Sequence, residues 1–273
     1  MTVIAQHHIR KMRGGAQAQL LLADDSNFYI VKFQNNPQHL RVLANEMFAT
    51  LLAKFIGLSV PPCEIVEVSD WLIEATPDLT MDLGPIKVPC RAGLSFGSRL
   101  MGGLLPGNLF DFLPDKHLAG VINIEEFAGI LAFDKWTCNA DGRQVVYSPA
   151  TPKRQQYKAT FIDFGYCFNV GQWNFQDASL RGVFARNLVY EGVLGWESFE
   201  PWLSRLEKLE LQEIWKAAKR IPSEWYEDDV FGLESLVEML GRRRKGVRGL
   251  IDDFRKSLRQ PFPNWNLRLA LRP

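Results

Sequence analysis

The most constraining feature of this 273-residue chain is a pair of segments, 133–141 and 161–165. In the first, Asn139 follows Asp134 by five residues, and in the second an apolar run ends in Asp163, Phe and Gly. Metal-assisted phosphoryl transfer uses this order of groups: a carboxylate near the attacking hydroxyl, then an amide and a second carboxylate that hold divalent cations. The pattern therefore predicts that Asp134 is a general base and that Asn139 and Asp163 are ligands of Mg²⁺.

Each of these fragments also has a simpler structural explanation. Asp and Asn are common turn formers, so the first segment could be an ordinary loop. Asp-Phe-Gly could be a strand that ends in a glycine turn. Asp141 and Gly142 are a hairpin turn signal, although Asp141 could also contact a metal, and we expect the hairpin strands at 144–147 and 159–162. The joint order of the two segments favours the chemical interpretation over two unrelated turns.

The beginning of the chain predicts a β-hairpin that follows a loop of small residues. A basic, flexible run at 10–13 leads into that loop, and the apolar segments 20–23 and 28–33 flank the polar turn 24–27. Backbone N–H groups can approach a polyphosphate closely where side chains are small, although the same glycines would suit the hinge of a mobile tail. The loop residues predicted to contact phosphate are Gly14, Gly15, Ala16 and Gln17.

Lys32 and Glu46 are a second pair of candidate site residues. Lys32 lies on the strand face opposite Val31 and Phe33, and apolar residues at helical spacing over 38–56 place Glu46 on the helix that follows. A strand Lys paired with a helix Glu is how phosphotransferases fix the Lys against the α- and β-phosphates. In the alternative interpretation Lys32 marks a solvated sheet face, and Glu46, far from the centre of the apolar stripe, is solvated too.

A connector and a helical region make up the rest of the chain. The apolar run 88–100 ends in a small, Gly-containing connector, where exposed backbone could pair with an adenine edge. Helical patterns follow, including 124–133 and a long stretch at 228–258. The basic run 242–245 within that stretch is either a solvated helix face or an anionic docking site. The residues predicted to contact adenine are Ser95, Phe96 and Gly97, and the two predicted domains are 1–98 and 99–273.

Composition indicates a soluble globular protein and limits its partners. Hydrophobic residues make up 47% and charged residues 23%, and the net charge of +1 creates no global field toward nucleic acid or an anionic membrane. The N-terminal residues lack the apolar core of a secretion signal, and no stretch approaches the ~20 apolar residues that span a bilayer. The four cysteines are isolated and expected to be reduced. We therefore expect a cytoplasmic protein that binds neither membranes nor nucleic acid directly.

Taken together, these motifs resemble those of the HipA-like kinase family over roughly residues 10–170. The resemblance implies an α+β, two-lobed protein-kinase-like fold, shared more distantly with phosphatidylinositol kinases. In that fold the N-terminal lobe is an antiparallel sheet plus one helix, and the C-terminal lobe is mostly helical. The motifs that carry the resemblance are Gly15-Ala16-Gln17, Ile30-Val31-Lys32-Phe33, Asn45-Glu46, Leu52-Ala53, Gly57-Leu58, Val60-Pro61, Asp134 with Asn139, and Asp163-Phe164-Gly165.

The resemblance also implies an activity, the transfer of the γ-phosphate of ATP to Ser or Thr with Mg²⁺. Asp134 would be the base, Asn139 and Asp163 the Mg²⁺ ligands, and Lys32 with Glu46 the pair that holds the nucleotide phosphates. Ser95 to Gly97 would then lie at the adenine. The implied partners are ATP and a protein substrate, and the oligomeric state is left open.

Two departures from the family pattern shape what we expect of this member. Trp136 stands where HipA-like catalytic loops usually have His, and the chain begins close to the glycine-rich loop. We therefore expect a compact relative without the N-terminal subdomain of the toxin kinases. The alternatives left open are a nucleotide-binding pseudokinase that serves as an interaction module, and a small-molecule or lipid kinase on the same fold.

Overall fold

A strand barrel with attached helices forms the N-terminal part of the molecule. The computed structural model describes residues 2–104, 108–150 and 156–266. In chain order the elements are β1 (Thr2–Lys11), β2 (Gln19–Ala23), β3 (Phe28–Lys32), α1 (Val42–Phe55), β4 (Cys63–Val68), α2 (Asp70–Ala75), β5 (Thr80–Leu83), β6 (Ile86–Pro89) and β7 (Gly93–Arg99). The barrel strands follow the order β1-β2-β3-β7-β4.

This barrel differs from the antiparallel sheet with one helix that the sequence leads us to expect. β1 and β4 run parallel and close the barrel, while the other neighbouring strands are antiparallel. The sequence pattern does not indicate β1, because its pairing with β2 shifts register twice and His7 and His8 interrupt the apolar alternation. The short helix α2 and the separate β5–β6 hairpin are further additions to the predicted pattern.

Strand β3 separates the barrel core from a cleft on its other face. Val31 and Phe33 pack in the barrel core, whereas Ile30 and Lys32 line the cleft. This is the alternation predicted for the strand, because successive side chains point to opposite faces. The predicted hairpin is also present, with β2 and β3 paired antiparallel.

Helix α1, which carries Glu46, is buried on nearly every face. Of its residues only Lys54 and Phe55 are exposed, because α1 packs against the barrel and also against the helices of the C-terminal part. Glu46 is 2% exposed, so it is not solvated. Gly57, at φ 84, follows the end of the helix, as its sequence position predicts.

The C-terminal part is mostly helical and shares one hydrophobic core with α1. The long helix predicted at 228–258 is divided by a 3₁₀ turn at Arg244–Gly246. Within the described ranges, no helix is long and apolar enough to cross a membrane. The elements are α3 (Asp115–Leu118), α4 (Glu126–Thr137), β8 (Gln144–Pro149), β9 (Tyr157–Ile162), α5 (Trp202–Lys208), α6 (Leu211–Ala218), α7 (Val230–Arg243) and α8 (Val247–Arg255).

Helix α4 continues beyond the point at which the sequence pattern ends it. The helix runs to Thr137 and stops at Cys138, whose φ of 51 is left-handed. Asp134 therefore lies in the last turn of a helix rather than in a loop. Trp136 is fully buried, and its indole N–H donates to the Leu240 carbonyl at 2.9 Å. Core packing accounts for the Trp at this position.

Candidate active site

A cleft of about 300 Å³ lies between the barrel and two short stretches, 141–144 and 162–164. Ile30 and Lys32 line it from β3, and Asp141 and Asp163 line it from the two ends of the β8–β9 hairpin. This volume is at the lower end of the range for small-molecule sites. The pairing of β8 with β9 thus brings two carboxylates to one wall, with Asp141 just before β8 and Asp163 just after β9.

Lys32 links the barrel wall of the cleft to the other wall. Its Nζ donates to Glu46 Oε1 and, at 2.9 Å, to Asp163 Oδ1. The side chains of Lys32 and Glu46 are 10% and 3% exposed, whereas that of Asp163 is 21% exposed. The structure therefore brings together three residues that the sequence analysis singled out, and Asp163 is the one most open to the cleft.

Burial and charge oppose each other in setting the pKa of each member of this triad. Burial by itself lowers the pKa of Lys32, but the carboxylates of Glu46 and Asp163 outweigh it, and the pKa is raised. Burial raises the pKa of Asp163, yet the attraction of Lys32 prevails and holds it below its usual value. For Glu46, burial prevails and the pKa is raised. Lys32 is therefore cationic and Asp163 anionic at neutral pH.

Glu46 and its neighbour Asn45 fix the backbone that follows β9. The backbone N–H groups of Phe164 and Gly165 donate to the Glu46 carboxylate at 3.0 and 2.9 Å. Asn45 Nδ2 donates to three carbonyls of the segment 165–170 at 2.7 to 2.9 Å. Helix α1 thus determines where the Asp-Phe-Gly segment lies.

The glycine-rich loop contributes only part of its predicted set to the cleft. Gln17, at φ 47, turns away from the cleft. Its side chain donates to the Asp82 carbonyl at 2.8 Å and accepts from the Asp82 N–H at 2.7 Å and from Lys11 Nζ at 2.7 Å. Gln17 therefore ties the loop to the β5–β6 hairpin. The loop residues that line the cleft are Gly14, Gly15 and Ala16.

On β7, strand alternation divides the residues predicted at the adenine. Phe96 lines the cleft together with Ser98. Ser95 is fully buried, and a Cβ on Gly97 would lie 2.3 Å from the Val66 side chain of the barrel core. Ser95 and Gly97 therefore lie on the opposite face of the strand, because side chains two residues apart share a face.

Asp134 is closed off from the cleft. It is 1% exposed and does not belong to the cleft lining. Arg143 donates to both of its carboxylate oxygens, from Nε to Oδ2 at 2.9 Å and from Nη2 to Oδ1 at 2.5 Å. Gly182 covers it from another side, since a Cβ there would lie 2.9 Å from Asp134 Cβ. An attacking hydroxyl has no access to this carboxylate in the structure.

Asn139 is buried beside Asp134, and both ends of its side chain are engaged. Its Nδ2 donates to Asp134 Oδ1 at 3.0 Å, and its Oδ1 accepts from the backbone N–H of Asp141 at 3.1 Å. Asn139 is 1% exposed and does not line the cleft. It therefore connects the buried Asp134 to Asp141.

Arg143, to which the sequence pattern assigned no role, connects the buried Asp134 to the end of β9 at the cleft. Its Nη1 donates to the carbonyls of Ile162 and Asp163 at 2.6 and 3.2 Å, and its guanidinium lies 4.3 Å from the centre of the Phe164 ring. Burial lowers the pKa of Arg143, but Asp134 outweighs this and raises it. An Arg nine residues after an Asp carries no sequence signal of its own, because the contact depends on the path of β8.

Among the cleft residues, the sequence pattern gave Asp141 only a possible metal contact and gave Gln144 no role. Asp141 is exposed, and its Oδ1 accepts from the backbone N–H of Gly142 at 2.7 Å. Gln144 is exposed at the start of β8, where it pairs with Ile162. The Asp-Gly pair was the available signal, because it places a carboxylate at the junction between the Asn139 segment and β8, whose partner β9 leads to Asp163.

The oxygen atoms on this wall suit a hard divalent cation. The carboxylates of Asp141 and Asp163 and the amide of Gln144 are oxygen ligands of the kind that Mg²⁺ prefers. Among the residues that the structure describes, no group of three His, Cys, Asp or Glu could hold a metal alone. A cation bound here would complete its coordination with phosphate oxygens and water, as Mg²⁺ does at nucleotide sites.

Solved structures with similar architecture include kinases. The Helicobacter pylori proinflammatory kinase CtkA superposes with a TM-score of 0.52 at 11% identity, over 93% of this chain and 95% of that chain. The Golgi casein kinase gives 0.53 at 10% identity, over 94% and 74%. A chain of the HipA, HipB and operator DNA complex of Shewanella oneidensis MR-1 gives 0.51 at 14%, over 92% and 68%. At these identities the likeness shows a kinase-like fold.

Sequence comparison then places the chain within one group of such proteins. The model of the HipA-like kinase family matches residues 5–242, and the chain belongs to this family. No curated protein sequence matches it. Family and fold together support a phosphotransferase of the kinase type, and they confirm the resemblance seen in the motifs.

Proposed function

We propose that this chain is an ATP- and Mg²⁺-dependent kinase that phosphorylates Ser or Thr of a protein. The proposal depends chiefly on Lys32, which bridges Glu46 and Asp163 on the wall of a cleft bordered by small loop residues. We further propose two lobes, 1–98 with the barrel and α1 and 99–273 with the helices, and a nucleotide that binds between them. In phosphotransferases a Lys held in this way contacts the α- and β-phosphates.

The cleft residues divide the task of binding the nucleotide. The backbone of Gly14 to Ala16 and the ammonium of Lys32 face the phosphates, and Phe96 and Ser98 face the base. Asp163 would hold the cation, which when bound would neutralise charge on the phosphate oxygens. Ser95, Gly97 and Gln17 support the walls of the cleft instead of contacting the nucleotide.

We assign the general base to Asp141 in place of Asp134. A general base must come within hydrogen-bond distance of the hydroxyl whose proton it accepts. Asp141 is exposed and lines the cleft, whereas Arg143 occupies both oxygens of the buried Asp134. In this assignment Asp134, Arg143 and Asn139 are positioning residues that hold Asp141 and the end of β9.

The exposure of Asp141 supports a macromolecular acceptor over a small one. A hydroxyl on a polypeptide can approach this carboxylate from solvent without entering an enclosed chamber. The acceptor oxygen would form a bond to the γ-phosphorus as the bond to the β,γ-bridging oxygen breaks, ADP would leave, and Asp141 would take the hydroxyl proton.

Transfer from labelled ATP, measured with Mg²⁺ and a generic protein acceptor, tests the proposal. We expect transfer by the wild type to itself or to the acceptor. Asp141→Asn should reduce transfer by about 10²- to 10⁴-fold, the usual contribution of a general base. Asp78→Asn, at an exposed aspartate that does not line the cleft, is the matched control and should leave transfer unchanged.

A thermal shift separates the base assignment from the nucleotide site. ATP with Mg²⁺ should raise the melting temperature of the wild type and of Asp141→Asn alike, because binding to the native state stabilises it. Asp163→Asn should reduce that shift. A wild type that is stabilised by ATP but transfers no phosphate would be a pseudokinase, and full transfer by Asp141→Asn would return the base role to another residue.

A further inference from the structure

We infer that the side-chain amide of Gln144, and not that of Asn139, is the amide ligand of the divalent cation. This inference builds on the proposed function, because it concerns the cation at that same cleft. Kinase-type sites hold their cations with one carboxylate and one amide oxygen from the protein. Asp163 supplies the carboxylate here, so the question is which amide reaches the same space.

Asn139 cannot supply a free oxygen without dismantling its surroundings. Its Oδ1 accepts from the Asp141 N–H at 3.1 Å and its Nδ2 donates to Asp134 Oδ1 at 3.0 Å, so its orientation is fixed at both ends. A Cβ on Gly182 would lie 3.1 Å from Asn139 Cβ, so the neighbouring chain covers this side chain. With 1% exposure, Asn139 lies behind the cleft wall.

Gln144 has the position and freedom that a ligand needs. It is exposed on the cleft wall, and no hydrogen bond of its side chain to another described residue is present. Its backbone pairs with Ile162, the residue directly before Asp163. Ile162 and Asp163 both line the cleft with it. The register of β8 and β9 thus brings Gln144 opposite the residue that precedes Asp163, and both residues line the same cleft.

Cation chemistry favours the same arrangement. Mg²⁺ and Mn²⁺ accept carboxylate, amide, phosphate and water oxygens, and they need only a few ligands from the protein. Asp141 lies on the same wall, three residues before Gln144, and stays available as the base. The amide adds a ligand without adding a third negative charge beside Asp141 and Asp163.

Mn²⁺ affinity tests this inference without relying on turnover. The whole protein is saturated with AMP-PNP, a non-hydrolysable ATP analogue, and free Mn²⁺ is followed by electron paramagnetic resonance, with the analogue alone as baseline. Gln144→Ala should weaken Mn²⁺ binding by about tenfold or more, since even partners of metal ligands contribute 10- to 100-fold. Gln144→Glu should tighten it, because a carboxylate adds ligand charge.

Two controls define the outcome. Gln172→Ala, at an exposed glutamine outside the cleft lining, should bind Mn²⁺ like the wild type. Asn139→Ala should lower the melting temperature, and its folded fraction should lose less Mn²⁺ affinity than Gln144→Ala does, because Asn139 acts on the cleft only through its hydrogen bonds to Asp134 and Asp141. Wild-type affinity in Gln144→Ala, or a loss of affinity confined to folded Asn139→Ala, would overturn the inference.

The experiment also distinguishes this inference from the proposed function. A protein that binds Mn²⁺ through Gln144 but transfers no phosphate would support the ligand assignment and refute the kinase activity. Phosphate transfer by the wild type, together with unchanged Mn²⁺ affinity in Gln144→Ala, would support the kinase activity and refute the ligand assignment. A wild type that binds no Mn²⁺ in the presence of the analogue would overturn the inference directly.

Discussion

Arg143 binds Asp134 through both carboxylate oxygens, at 2.9 and 2.5 Å, and each side chain is only 1% exposed. The same guanidinium reaches the carbonyls of Ile162 and Asp163. This buried pair therefore joins the end of α4 to the end of β9, which carries the proposed cation ligand.

Removal of Arg143 should be strongly destabilising. Arg143→Met leaves Asp134 buried without its counter-charge, which costs about 3–5 kcal/mol of unfolding free energy. Urea denaturation followed by circular dichroism measures the loss. Arg143→Met combined with Asp134→Leu should recover part of it, since the uncompensated charge is then absent. Strictly additive losses in the double variant would contradict the coupling.

Replacements of Glu46 should separate its charge from its role as an acceptor. Glu46→Gln keeps one side-chain oxygen for the N–H groups of Phe164 and Gly165, whereas Glu46→Leu leaves both buried donors unsatisfied. Each unsatisfied donor costs about 1–3 kcal/mol, so the Leu variant should be the less stable of the two. Equal midpoints in urea would show that these hydrogen bonds contribute nothing measurable.

Gly182→Ala should disturb the cover over Asp134. Gly182 has φ 61, and an added Cβ would lie 2.9 Å from Asp134 Cβ. Gly84→Ala is the matched control, because Gly84 has φ 64 and its Cβ would meet no described atom within 4 Å. In both variants an Ala must adopt a positive φ, which lowers the free energy of unfolding. At position 182 overpacking should lower it by about a further 1–3 kcal/mol. Thermal unfolding of the two proteins under one condition compares them.

Lys135 should make stability depend on pH in the alkaline range. Burial lowers the pKa of Lys135 to about 8, although its Nζ still donates to the Ser179 and Arg181 carbonyls. Between about pH 8 and 10.5 the unfolded chain holds a proton that the native state lacks, so this residue makes the native state more stable as pH rises.

The comparison with Lys135→Met isolates that contribution from other titrating groups. The unfolding free energy of the wild type minus that of the variant should increase from pH 8 to pH 10, by at most about 1.4 kcal/mol per pH unit. Urea titrations at each pH measure it. A difference that stays constant, or declines with rising pH, would contradict a lowered pKa.

The sequence predicted the parts of the site that depend on local pattern. Strand alternation placed Lys32 on the cleft face, and the two strands expected near 144–147 and 159–162 do pair, although Asp141 and Gly142 precede β8 and do not form the turn between β8 and β9. The spacing of apolar residues could not decide whether α4 ends before Asp134 or continues past it. The helix continues because Trp136 packs in the core, which is a tertiary effect.

The choice among neighbouring polar residues also required three dimensions. Asp134 and Asn139 have the spacing of a catalytic loop, but a distant partner, Arg143, and the later segment at Gly182 enclose them. Glu46 lay off the apolar stripe of its helix, yet it is buried because α1 has neighbours on nearly every side. Periodicity records only how apolar residues are distributed around a helix, so it cannot reveal packing on a second face.

The hydrogen bonds of Asn45 and Glu46 limit how this molecule can be controlled. An outward swing of α1 would break three bonds from the Asn45 amide and two to the Glu46 carboxylate at the same time. The same movement would expose to water a helix whose residues 42–53 are all buried in the structure. An inhibitor or regulator that displaces this helix would have to disrupt the interior of the protein. Blocking the entrance of the cleft would cost less free energy, because it leaves these hydrogen bonds intact.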